Sequence, residues 1–160
     1  MFFAVRPFLG NCPDQLVKSI PVDISQAQIL QLLVRLSDDL GLALVLVTHD
    51  LPAVSEVCQD AAVMYAGEIV ETGTMDELFH GPKHPYTRLL FAATPDLYGD
   101  EDVLSIPGAP PRLDEPLVGC PFHPRCDSNF DRCTVERPQL QELTFGHLSA
   151  CHLNDRTEGA

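Results

Sequence analysis

An α/β fold, in which a sheet with flanking helices is followed by an irregular Cys-rich C-terminal appendage, is predicted by three features of this 160-residue sequence. Ile29, Leu32, Leu33, Leu36 and Leu40 recur at the spacing of one helix face. Leu42 to Val47 is apolar at every position, which predicts a strand buried on both faces of a parallel sheet. The segment A-A-V-M-Y-A-G-E-I-V-E-T-G predicts two short strands joined at Ala66-Gly67.

Residues 1–20 carry no steady periodicity and predict no element. In the leucine-rich helix, Ser25 and Gln28 have capping-box spacing and Gly41 supplies a stop. The apolar strand ends at Thr48-His49-Asp50, and a short helix from about Leu51 to Cys58 turns Val54 and Val57 inward. Thr74 and Glu77 repeat the capping-box spacing and open another short helix. Pro85 suits the first position of a helix over P-Y-T-R-L-L-F-A-A. From Pro95 to Pro138 prolines crowd the chain and periodicity is lost. Three regions follow: a divergent segment over 1–24, a helix-and-strand region over 25–93, and a Cys-bearing segment over 94–160 with little core of its own.

Twenty-three acidic residues face 10 basic ones, a formal net charge of −13, and Lys18 and Lys83 are the only lysines. Such a surface repels nucleic acid and anionic membranes. It suits high salt, where self-repulsion is screened, and points to a halophilic source. No stretch reaches the roughly 18 apolar residues of a membrane span. M-F-F-A-V-R-P-F-L-G is interrupted by Arg6 and Pro7, which is not the pattern of a signal peptide. A cytoplasmic location is expected, and in that compartment thiols stay reduced.

Two sets of residues carry chemistry. His49 stands at the end of the apolar strand, where α/β sheets place ligands, and an imidazole there can bond a phosphate oxygen or orient water; capping the next helix is its plainer role. Cys120, Cys126, Cys133 and Cys151 are spaced C-x5-C-x6-C-x17-C. That is neither the paired C-x2-C of most zinc fingers nor a ferredoxin pattern, so a soft metal centre, zinc and two disulfides all stay open on spacing alone. His123 and His152 lie beside these cysteines as supporting or surface groups, with His152 able to replace a thiol at zinc. Cys58 belongs on a helix face and Cys12 in the unassigned start. Tyr86 reads as a buried structural tyrosine, and Asp38 and Asp39 as a solvated helix face.

The run L-A-L-V-L-V-T-H-D-L-P-A-V-S-E-V-C, followed by D-A-A-V-M-Y-A-G-E-I-V-E-T-G, resembles the end of an ATP-binding-cassette (ABC) ATPase domain. H-G-P-K-H-P-Y-T-R-L-L, I-P-G-A-P-P and G-C-P-F-H-P-R-C narrow the resemblance to the C-terminal part of oligopeptide, dipeptide and nickel importer ATPases, over about residues 26–153. It implies a partial P-loop NTPase sheet over 25–93. His49 would be the switch histidine at the γ-phosphate, in a site that works by positioning and electrostatic stabilisation. Asp23, in I-P-V-D-I-S, stands where the family carries its D-loop aspartate, though one residue out of register. Members with all four cysteines are associated with a 4Fe-4S cluster, which makes iron–sulfur the implied occupant and zinc the alternative. The implied cofactors of an intact member are ATP and magnesium. The implied partners are a second ATPase subunit, two membrane permeases and, indirectly, an extracellular solute-binding protein, with this chain peripheral on the inner face of the membrane.

The sequence also departs from that family. It has no G-x-x-x-x-G-K-S/T loop, no L-S-G-G-Q signature and no apolar strand ending in Asp-Glu. The expectation is a truncated importer ATPase that does not bind or hydrolyse ATP alone. A non-catalytic iron–sulfur or zinc module that regulates or stabilises a transporter is the competing expectation.

Overall fold

A computed structural model describes residues 2–6, 24–94, 105–112, 114 and 116–155. Its elements are β1 (Phe2–Arg6), α1 (Ile24–Leu40), β2 (Leu44–Thr48), α2 (Leu51–Ser55), β3 (Asp60–Tyr65), β4 (Glu68–Thr74), α3 (Met75–His80) and α4 (Pro85–Ala92). A 3-10 turn (His123–Arg125), α5 (Asp131–Val135), β5 (Gln141–Thr144) and β6 (His147–Ser149) complete the chain. The α/β class holds, with six strands in one sheet ordered β2-β1-β3-β4-β6-β5.

Local chemistry explains most element boundaries. β3 and β4 turn through Ala66 and Gly67, whose φ values of 49° and 84° are the two positive angles of a tight hairpin turn. The capping box at α3 is formed: Thr74 Oγ1 accepts the Glu77 N–H at 3.2 Å, and Glu77 Oε2 accepts the Thr74 N–H at 3.0 Å. α4 begins at Pro85, with His84 as its cap. α1 starts at Ile24, one residue before the Ser25 expected to cap it, and its Leu stripe faces outward. α2 ends at Ser55, shorter than the helix expected to reach Cys58, which instead lies in the core beyond it. Val57 packs partly against the core. The Val54 side chain lies outside the described residues.

Two expectations are corrected. The Leu42–Val47 run does not form a strand inside a parallel sheet. β2 is an edge strand, antiparallel to β1, and Val45 and Val47 are 57% and 51% exposed. The physical reason is β1, which inserts between β2 and β3 and pairs antiparallel with both. An all-apolar run signals two-sided burial only where something covers both faces.

The Cys-bearing segment, in turn, does have little core of its own, but it is built into the main sheet and core and is not set apart as an appendage. β6 pairs with β4 and continues the sheet, while Cys120, Phe122 and Cys133 join the main core with Val63, Tyr65, Leu78 and Phe91. Two arginines tie its irregular backbone down. Arg125 donates to the carbonyls of Ile106 and Pro107 and to the Tyr65 hydroxyl, and Arg137 donates to the carbonyls of Leu117 and Gly119 while pairing with Glu68 of β4.

Candidate functional site

The four cysteines line one small cavity of about 10 Å³, room for a single water-sized sphere. Each reaches it from a different piece of structure. Cys120 follows Gly119, whose φ of 70° and close approach to the Cys133 carbonyl leave no space for a Cβ. The Cys120 N–H then donates to that carbonyl at 2.8 Å, fixing the first and third cysteines together. Cys126 ends the 3-10 turn, Cys133 sits within α5, and Cys151 follows β6. Cys120 and Cys133 are buried, Cys126 and Cys151 half-buried, and all four are free thiols.

Burial pushes the Cys151 thiol up to about 11, and the other three cysteines add to that rise. Burial likewise raises Cys120 and Cys126, each with a further upward push from Cys133. A thiolate here is disfavoured by desolvation and by its neighbours, so these are not activated nucleophiles. Loading a soft cation would expel the protons and compensate the charge. Four free thiols share the lining of one cavity. Their present spacing does not complete a ligand shell: among the described residues no group of three or more His, Cys, Asp or Glu side chains stands ready to hold a metal ion.

The flanking histidines are committed to the protein. His123 Nδ1 lies 2.8 Å from the Cys120 carbonyl. His152 Nε2 lies 2.9 Å from the Glu136 carbonyl and its Nδ1 3.3 Å from Asp155, so the ring expected to stand in for a thiol has both nitrogens occupied.

Sequence reasoning missed the residues that join this cavity to the sheet. Glu71 on β4 is fully buried. Its carboxylate accepts the backbone N–H groups of Lys83 at 2.6 Å and His84 at 3.0 Å, and it meets His147 Nε2 of β6 at 2.8 Å. His84 lines the cysteine cavity and packs near Phe122, with ring centroids 5.9 Å apart. Burial, with a smaller push from the Arg88 charge, lowers its pKa to about 4, so the imidazole is neutral at pH 7. Tyr86 is buried against Tyr65 and Phe122, and burial raises its phenol pKa. The only sequence signal for this cluster was a glutamate inside a strand pattern otherwise facing the core.

His49 occupies a bend just after β2 and is exposed, in the region opposite the cysteines in the strand order. Asp23 lies outside the described residues. The structure therefore brings the four cysteines together and leaves His49 apart from them. Among the described residues no helix is long and apolar enough to cross a membrane.

With this geometry in place, the chain is found to be similar, over most of its length, to part of the ATP-binding subunits of oligopeptide and dipeptide ABC transporters. Residues 70–133 match the family model described as oligopeptide/dipeptide transporter, C-terminal region. Among its relatives, the dipeptide transport ATP-binding protein DppD of Escherichia coli is 44% identical over 153 residues, covering 95% of this chain and 46% of that protein. A probable peptide ABC transporter ATP-binding protein of Sinorhizobium fredii is 46% identical over 149 residues, 89% of this chain and 44% of that protein. The oligopeptide transport ATP-binding protein OppD of Haemophilus influenzae is 41% identical over 130 residues. The chain thus spans less than half the length of these relatives.

Proposed function

We propose that this chain contributes the switch histidine and the C-terminal sulfur-ligand region to ATP-driven peptide import. The observation that carries the reading is the relationship, over most of the chain, to proteins named for peptide and dipeptide transport. The partners in this proposal are a second ATP-binding subunit and two membrane permeases, served by an extracellular solute-binding protein. The chain works at the cytoplasmic face, and nickel is the other cargo class. What supports this role is that His49 stands at a strand end and is open to solvent, where a phosphate brought by a neighbouring surface has access. Its imidazole holds one γ-phosphate oxygen or the attacking water, while magnesium and the phosphate-cradling loop belong to other parts of the assembly.

Within the same reading, Cys120, Cys126, Cys133 and Cys151 hold a four-iron four-sulfur cluster, with zinc as the alternative. The support is the donor set: four free thiols on one cavity. Bound there, such a cluster supplies a one-electron couple and a cross-link between the 3-10 turn, α5 and the end of β6. The protein's part is to hold the thiols out of bulk solvent and close together.

A second reading is favoured by the contrast between an exposed, solitary His49 and four assembled thiols: a non-catalytic metal module that stabilises a transporter. Co-expression with the permeases and the second ATP-binding subunit, followed by capture from membranes and peptide-uptake assay, separates the two. The first reading expects co-capture, and uptake reduced at least 100-fold by His49→Ala. Co-capture with uptake untouched by that substitution supports the second reading, and a folded chain that captures no permease sinks both.

A further inference from the structure

We propose that the cleft beside β5 takes an extended segment of a partner polypeptide, which pairs with β5 as a further strand and sets a carboxylate against Lys83. β5 ends the strand order β2-β1-β3-β4-β6-β5, so β6 covers one of its edges and no described strand pairs with the other. Such an edge presents a row of backbone donors and acceptors, which an added strand satisfies. The cleft measures about 470 Å³ and is lined by all four residues of β5, by Lys83, and by Asn154 and Asp155. Successive strand side chains point to opposite faces, so a cavity touched by all four residues runs along the strand and reaches its edge. Four residues at about 3.3 Å each make β5 about 13 Å long, a run that an extended chain matches.

Charge selects the occupant's chemistry. The two carboxylates of the cleft are engaged within the chain. Arg132 Nη1 donates to Asp155 at 2.7 Å, with His152 Nδ1 3.3 Å away, and Glu142 Oε1 accepts the Gly146 N–H at 2.9 Å. Lys83 supplies the cleft's positive charge, and its backbone is fixed because its N–H donates to the buried Glu71 at 2.6 Å. A carboxylate is the group that meets such an ammonium. A protein segment fits better than a small solute because β5 leads straight into Phe145, which is 100% exposed. A second copy of this chain fits poorly, since it brings another Glu142 and another net charge of −13 against the first. The cleft shares no lining residue with the thiol cavity, and His49 lies at the other end of the strand order.

The probe is a peptide of about six residues, capped at both ends like an internal protein segment, with threonine and valine alternating around one glutamate. Added to the 15N-labelled chain, it is expected to shift the amide signals of β5, Lys83, Asn154 and Asp155; no shift there at millimolar peptide overturns the site. The same peptide with glutamine for glutamate should bind the native chain about tenfold more weakly. Against Lys83→Met the two peptides should bind alike. Equal binding of both peptides to the native chain overturns the pairing with Lys83, and that arm needs no variant to fold. Successive N–H groups of a strand point to opposite edges, so N-methylation of one alternate set of peptide amides should abolish binding and of the other set should leave it. Equal effects of the two sets overturn strand pairing. Shifts at β5 that grow with protein concentration in the absence of peptide mean that a second copy fills the cleft, which overturns the partner segment.

Discussion

The two ends of the sheet treat apolar residues in opposite ways. At the β2 end, Ile29, Leu32, Leu36 and Leu40 of α1 and Val45 and Val47 of β2 are exposed. From β3 onward, Val63, Val70, Leu78, Phe91 and Phe122 are nearly or fully buried, and the polar groups among them are tied into networks such as Glu71 with its three partners. α1 is amphipathic and β2 apolar throughout, yet neither pattern is matched by cover at the β2 end. The difference teaches that periodicity defines which face of an element wants cover, whereas stability comes only from the cover itself.

The sharpest way to break this comparison is to remove Glu71. Glu71→Ala leaves His147, the buried His84 N–H and the part-buried Lys83 N–H without their acceptor, and a loss of about 3–5 kcal/mol is expected in denaturant unfolding. A loss under about 1 kcal/mol would mean that the carboxylate does not organise this half.

Acid probes the same half through His84. Its ordinary pKa of 6.5 applies to the unfolded chain, and the folded value is about 4. Above pH 6.5 the ring is neutral in both states and the full stability is present. As pH falls from 6.5 towards 4, the unfolded chain takes up a proton that the folded chain refuses, and roughly 3 kcal/mol is lost. Unfolding midpoints measured across that window should fall steadily, and His84→Asn should remove this component. A wild-type profile flat between pH 6.5 and 4 would contradict the buried neutral ring.

The smallest effect is expected at the other end. Leu32→Gln and Leu36→Gln each replace an exposed residue of α1, and each should change the stability of the chain by less than about 0.5 kcal/mol. The contrast is with Leu78→Ala in the core, where about 2–5 kcal/mol is expected. Equal losses at the two ends would erase the distinction.

Legibility in the sequence followed the same division between local and distant. The hairpin at Ala66-Gly67, the Thr74–Glu77 box and the Pro85 start were readable because their partners lie within four residues. The cysteine set was readable as a set, since thiol clustering is a matter of composition. That the four share one cavity was not, because Cys151 arrives there only through the pairing of β6 with β4. His84 was hidden as well: a histidine before a proline reads as a cap until a cavity is found beside it.

The amino-acid sequence alone determined the element types from α1 to α4, the family resemblance, and the identity of four thiols and a strand-end histidine as the chemical candidates. Tertiary structure alone decided that β1 enters between β2 and β3, that the β2 run lies at an exposed edge, and that Glu71 links β4, the loop before α4 and β6. The reason is the range of the forces. Caps, turns and amphipathic spacing act between near neighbours, whereas strand pairing and buried hydrogen bonds join residues dozens of positions apart and leave no periodic trace.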